Sequence, residues 1–162
     1  MTATPSTASP ALAPLDPRIR DFLDAFAPPP GRTLWYGGAS LFGSLRGVDA
    51  QQAAYCAPGH DHSLWQLVLH CAYSRYIVRR KFEETAERGQ FPRKGAYWPQ
   101  VPQDNLDTAW KEDVALLKSE QARLVEAIRH FDPARLDEHA TQQWTYIDLL
   151  WGIVMHDMYH VG

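Results

Sequence analysis

Residues 106–131 read LDTAWKEDVALLKSEQARLVEAIRHF. Within them Trp110, Val114, Leu117, Leu124, Ile128 and Phe131 recur at spacings of 4, 3, 7, 4 and 3, and Gln121 fills the missing step. At 3.6 residues per turn these positions share one stripe, the apolar seam of a helix in a bundle. No Gly or Pro interrupts the stretch. It starts near Asp104 or Leu106, and Asp132-Pro133 closes it, because proline cannot continue a helix.

Outward from this seam the same period returns twice. From Ser63 to about Glu87 no Gly or Pro occurs, and Leu67, His70, Ser74 and Ile77 step inward beside a second row of Leu64, Val68, Cys71 and Val78. A long helix capped by His62 or Ser63 is expected. A last helix runs from about Thr145 to Tyr159, with Tyr146, Leu149, Ile153, His156 and His160 on one seam. Pro17 follows a potential cap, Asp16, and places Phe22, Leu23 and Phe26 on one face of a short N-terminal helix, which Pro28-Pro29-Pro30-Gly31 breaks. Residues 39–46 read as a further helical piece. A loop from Gly89 through Tyr97-Trp98-Pro99 to Pro102 is longer than most connections, and such loops often carry function. No strand-like alternation and no internal repeat is visible. The expected architecture is an all-α four-helix bundle with a short extra N-terminal helix, a flexible tail over residues 1–15 and a single domain over 16–162.

The 162 residues suffice for one core, and 45% hydrophobic residues with six Trp can fill it. Sixteen Lys and Arg against nineteen Asp and Glu leave a net charge of −3, without the basic excess that phosphate neutralisation requires, so nucleic acid is not an expected partner. Cys56 and Cys71 are too few for a disulfide framework, which favours a reducing cytoplasm. The first fifteen residues carry neither a basic start nor an apolar run, unlike a signal or transit peptide. The longest apolar run, Leu149 to Met155, is too short to cross a membrane.

The chemistry-bearing residues are histidines. His156 and His160 lie four apart, one turn along one helix face, a spacing that lets two imidazoles share a metal. Both fall on the seam that Leu149 and Ile153 turn inward, where unpartnered imidazoles are costly. His70, on the inward row of another helix, is the natural third member. Three imidazoles from two helices hold a divalent ion and leave a position for water or substrate. The competing reading of His70 alone is an ordinary core histidine; the paired histidines at the chain's end outweigh it.

The stretches His62-Ser63-Leu64-Trp65-Gln66-Leu67-Val68-Leu69-His70 and His156-Asp157-Met158-Tyr159-His160-Val161-Gly162, with Trp35 to Ala54 and the Phe91-Pro92 loop, resemble the DinB-like (damage-inducible) metal-binding four-helix bundles. The resemblance covers roughly residues 34–162. That family includes thiol-dependent transferases and isomerases, and it takes one histidine from the second long helix and two from the last as a metal triad. By position these are His70, His156 and His160. In the family a Gln and a further helical turn are expected after Gly162. The resemblance implies a cytoplasmic stress-response protein binding one divalent transition metal, zinc, nickel or iron, and a small-molecule ligand or low-molecular-weight thiol. It implies an enzyme of transferase, isomerase or hydrolase type in which a metal-bound water or thiol is the reactive group. The alternative is a non-catalytic, metal-stapled bundle that binds a small ligand or a protein. A homodimer is compatible with both.

Other residues carry two readings each. Arg75, Arg79, Arg80 and Lys81 can meet an anionic substrate or thiol cofactor, but a solvated face paired with Glu83 and Glu84 is the commoner fate of such a run. Trp65, Trp98, Tyr97, Trp144 and Trp151 can wall a pocket; most are expected in helix contacts, with the loop pair Tyr97 and Trp98 the better cofactor-binding candidates. Asp157 is a candidate for supporting the ligands. It also makes His156-Asp157-Met158-Tyr159-His160 look like a His-Glu-x-x-His protease motif with a shortened carboxylate, a reading set aside because no third ligand follows. Cys56, His60 and His62 spell C-x3-H-x-H, a pattern that can bind zinc, but a Pro-Gly turn ahead of a helix explains them as capping and loop residues, which is the favoured reading. Cys71 sits about 100° round the helix from His70 and reads as a core thiol. The seams hold too few carboxylates for a di-iron site.

Overall fold

The computed structural model describes residues 14–29, 31–32, 40–83 and 89–161. Most of the expected tail, residues 35–39 of the stretch from Trp35 to Ala54, and Glu84 lie outside the described residues.

Among the described residues six helices follow one another: α1 (Pro17–Phe26), α2 (Leu41–Ser44), α3 (Ala50–Ala54), α4 (Leu64–Phe82), α5 (Leu106–Arg129) and α6 (Tyr146–Val161). A 3-10 turn, Pro133–Arg135, sits between the last two. Among the described residues there is no strand, only an isolated bridge between His139 and Thr145. The chain is thus the all-α bundle its periodicity predicts, with α4, α5 and α6 as its long members and α1 packed against α5 and α6.

Each start has a local cause. Asp16 accepts a hydrogen bond from the Arg18 amide and Pro17 opens α1. Ser63 caps α4 in a reciprocal box, its hydroxyl accepting from the Gln66 amide and the Gln66 side chain accepting from the Ser63 amide. Asn105, in the left-handed region at φ 51°, turns the chain into α5 without a side-chain cap. The α4 helix is shorter than its sequence suggests, ending at Phe82. That ring packs on Phe131 and Tyr146, at 4.9 and 5.2 Å between centroids, while Glu83 turns extended.

Two apolar clusters form the core. One joins Ile19, Phe22, Leu23 and Phe26 of α1 to Leu124 and Ile128 of α5 and Leu150, Ile153 and Val154 of α6. The other joins Ala50 and Ala53 of α3 to Trp65, Val68, Leu69 and Ala72 of α4 and to Trp110 and Leu117 of α5. Along α4 and α5 a polar layer separates them. Arg75 is buried, donating to the Cys71 carbonyl (3.0 Å), to the side chain of Gln121 (2.7 Å) and to Asp157 of α6. Gln121 in turn donates to the Phe26 carbonyl at 2.9 Å. Arg79 is 0% exposed and pairs with Glu120 of α5, itself 3% exposed, at 2.8 Å, and with Glu83. A further buried acid, Asp113, accepts from the Trp65 indole at 2.8 Å and from Arg93 of the loop at 2.7 Å.

This layer corrects the phase read from α4. Its deepest row is Trp65, Leu69, Ala72, Arg75, Arg79 and Phe82, whereas Leu67, Ser74 and Ile77 lie at the edge of the buried face. Arg75 and Arg79 are therefore not a solvated face. Buried charge is tolerable there because each guanidinium is paired and hydrogen-bonded.

Removing one member of such a pair strands the other. Glu120→Leu is expected to lower the unfolding free energy by about 3 kcal/mol in urea titration, and Arg79→Met combined with Glu120→Leu to recover most of it. A double variant no more stable than the single one would show that the pair does not set the loss.

Candidate metal centre

Where α4 meets α6, three imidazoles converge. His70 comes from the middle of α4, and His156 and His160 come from successive turns of α6. The ring centroids lie 4.8 Å (His70 to His156), 5.0 Å (His70 to His160) and 4.5 Å (His156 to His160) apart. One ligand atom from each falls within 4.8 Å of the other two, so the group could hold a metal ion. The spacing in α6 and the inward position in α4 thus place together the three histidines the sequence singles out.

The hydrogen bonds around the cluster bear on whether an ion fits. His70 Nδ1 lies 2.6 Å from the Tyr97 carbonyl, which can only accept, so Nδ1 carries the proton and Nε2 presents a lone pair. Fixing the tautomer through the other ring nitrogen is the usual support of a metal-binding histidine. That Nε2 stands 2.8 Å from His156 Nε2, and the Ser74 hydroxyl is 3.4 Å from the same His156 atom. His156 Nδ1 is buried with no hydrogen-bond partner. Three imidazole donors with ligand atoms within 4.8 Å of one another and a fixed tautomer at His70 suit a divalent transition ion.

Burial also disfavours protonation of His70 and His160. Desolvation, then the proximity of His156 and His70, pushes His160 down to about 4. Desolvation lowers His70 as well, against the raising effect of its bond to Tyr97. Unprotonated rings are the form that binds metal.

The loop supplies a component that sequence reasoning saw only in part. Trp98 stacks on His70 at 4.2 Å and on His62 at 3.5 Å between centroids, nearly parallel to both. The indole is thereby held by two imidazoles, and its neighbour's carbonyl is brought to His70. His62 was read as a loop or capping residue; only the return of the loop over α4 reveals its contact, and no spacing could have announced it. Its Nδ1 is buried and unpartnered. Cys56, by contrast, is exposed and its thiol donates to the His60 carbonyl, so the C-x3-H-x-H residues do not converge.

The remaining candidates are distributed otherwise. Asp157 faces Arg75, with its Oδ1 3.9 Å from His156 Nδ1. It belongs to a second group, with Cys71 and His156, whose ligand atoms lie close enough for a metal. Burial pushes the Cys71 thiol up to about 12, which opposes the thiolate that metal binding needs. Arg75 and Arg79 are engaged by acids in the core, and neither offers a free guanidinium to an anionic ligand. Tyr97 is exposed, its ring set edge-on to Tyr73 of α4. Trp65 is core, while Trp144 and Trp151 are exposed.

A family model, that of the DinB superfamily, matches residues 10–162. No curated protein and no solved structure matches the chain.

A lowered histidine pKa has a definite sign in stability. Between the ordinary value near 6.5 and the folded value of about 4 for His160, the unfolded chain binds a proton that the folded chain refuses. Stability of the metal-free protein is therefore expected to fall as pH falls through that window. From about pH 7 to about pH 5, above most of the carboxylate range, urea midpoints of the parent should drop, and those of His160→Gln should drop less. Equal slopes would mean that His160 titrates normally.

Proposed function

The chain belongs to the DinB superfamily, and on that premise we propose that it is a metal-dependent enzyme whose His70, His156 and His160 hold one divalent transition ion. The observation that carries this reading is the convergence of three imidazoles from two helices beside an accessible cleft. A divalent ion held by three protein ligands lowers the proton affinity of a water or thiol in its open position, supplying a nucleophile near neutral pH. Transfer, isomerisation and hydrolysis are all reached from that nucleophile.

The protein's own residues have separable tasks. The Tyr97 carbonyl holds the His70 proton on Nδ1 and so turns Nε2 to the centre. The pair of Arg75 and Asp157 fixes α6 against α4 and with it the distance from His70 to the two histidines of α6. Trp98 covers one face of His70 and restricts water there. The alternative role, a metal that only staples the bundle, has less support. Both apolar clusters are assembled from residues other than the three histidines, so the core does not need an ion to be complete.

Elemental analysis of untagged protein tests the reading. One equivalent of transition metal is expected in the parent and none in His156→Ala/His160→Ala. The metal-free parent should keep its helical circular dichroism, whereas a stapling ion would take the fold with it. A parent that takes up no zinc, nickel or iron on incubation overturns the proposal.

A further inference from the structure

The geometry points to a substrate site that continues from the histidine cluster, a cleft between α4 and α6 that takes the uncharged, apolar body of a small molecule and presents its reactive end to His156. This deepens the metal-enzyme reading and rests on it for the word substrate. The cleft has a volume of about 450 Å³, within the range of small-molecule sites. Its walls are Ile77 and Val78 from α4 and Leu149 and Ile153 from α6. Polar groups gather at His156 and Ser74, the latter's hydroxyl donating to the His70 carbonyl. An apolar chamber with a few polar groups at one end is the usual form of a site that orients a ligand.

Charge narrows the ligand class. Among the described residues no Lys or Arg lines the cleft, and one carboxylate does, that of Asp148. It accepts from the Thr145 amide at 2.9 Å and hydroxyl at 2.6 Å, which holds it below the ordinary carboxylate range. An anionic ligand would meet that fixed negative charge with no Lys or Arg side chain among the described lining residues to offset it. Two aromatic rings also line the space, Tyr97 at 61% and Trp144 at 54% exposure. Both leave ring surface in water that an apolar ligand would cover.

The strongest mark is Gly152. It lies within α6 and lines the cleft, where a glycine costs about 1 kcal/mol relative to alanine. Packing does not require it, since a Cβ built on it meets no atom within 4 Å. Its backbone is helical and needs no special φ. What the glycine provides is room in the cleft.

The test uses 2-naphthol as an uncharged aromatic probe and 2-naphthalenesulfonate as its anionic counterpart, titrated calorimetrically into metal-loaded and metal-free protein. The parent should bind 2-naphthol in both states and the sulfonate more weakly. Gly152→Leu should weaken 2-naphthol binding by about tenfold or more. Its metal content by elemental analysis should equal the parent's. Gly152→Ala should fold with a raised melting temperature and lose part of the affinity. Should Gly152→Leu fail to fold, Trp144→Ala, at an exposed position, is expected to weaken binding severalfold. Absence of 2-naphthol binding by the parent, parent-like affinity in the folded Gly152→Leu or in Trp144→Ala, or equal affinity for the sulfonate overturns the inference. Absence of metal from the parent sinks the enzyme reading and leaves these titrations to decide the cleft on their own.

Discussion

The buried pair of Arg75 and Asp157 is the constraint from which the arrangement of this protein follows. It joins the middle of α4 to α6 one residue from His156, and the Cys71 carbonyl and Gln121 of α5 accept the other Arg75 hydrogen bonds, Gln121 in turn donating to the Phe26 carbonyl at the end of α1. A guanidinium at 1% exposure is tolerable only when its donors are occupied by well-placed acceptors. That requirement fixes how α6 lies on α4 more narrowly than apolar contact does, because hydrocarbon packing is indifferent to small slides and a hydrogen-bonded ion pair is not.

The same logic explains why a metal centre can form in the fold without disturbing it. The two apolar clusters provide the driving force for collapse, and the polar layer between them sets helix register. The histidines lie beside that layer. Burial disfavours protonation of His70 and His160, so their rings meet without charge repulsion. The loop closes the arrangement from outside, with Trp98 between His62 and His70 and the Tyr97 carbonyl on Nδ1. Beside it lies a cleft lined by apolar side chains of α4 and α6 and by Gly152.

The helices were legible because burial imposes a period on the chain. Leu117, Leu124 and Ile128 of the seam in α5 are fully buried, and His156 and His160 share a face of α6 as their spacing requires. The phase of α4 was less legible. Arginines count as surface in any hydrophobic pattern, so the row through Arg75 and Arg79 was read as solvated when it is the deepest part of the helix. Asp113 and Glu120 escaped the seam of α5 for the same reason. Each acid is buried because a base or an indole on another element meets it, and such complementarity is a property of pairs that no single helix displays.

By itself the sequence determined an all-helical bundle, the positions of its long helices and three histidines able to meet. These depend on interactions a few residues apart, where 3.6 residues per turn and capping geometry leave little freedom. Only the tertiary structure decided that Arg75 and Arg79 turn inward, that Trp98 lies between His62 and His70, and that Gly152 opens onto a cleft. The physical reason is range. Those features arise between residues tens of positions apart, brought together by apolar collapse and held in place by the desolvation cost of leaving a buried charge or ring nitrogen without a partner.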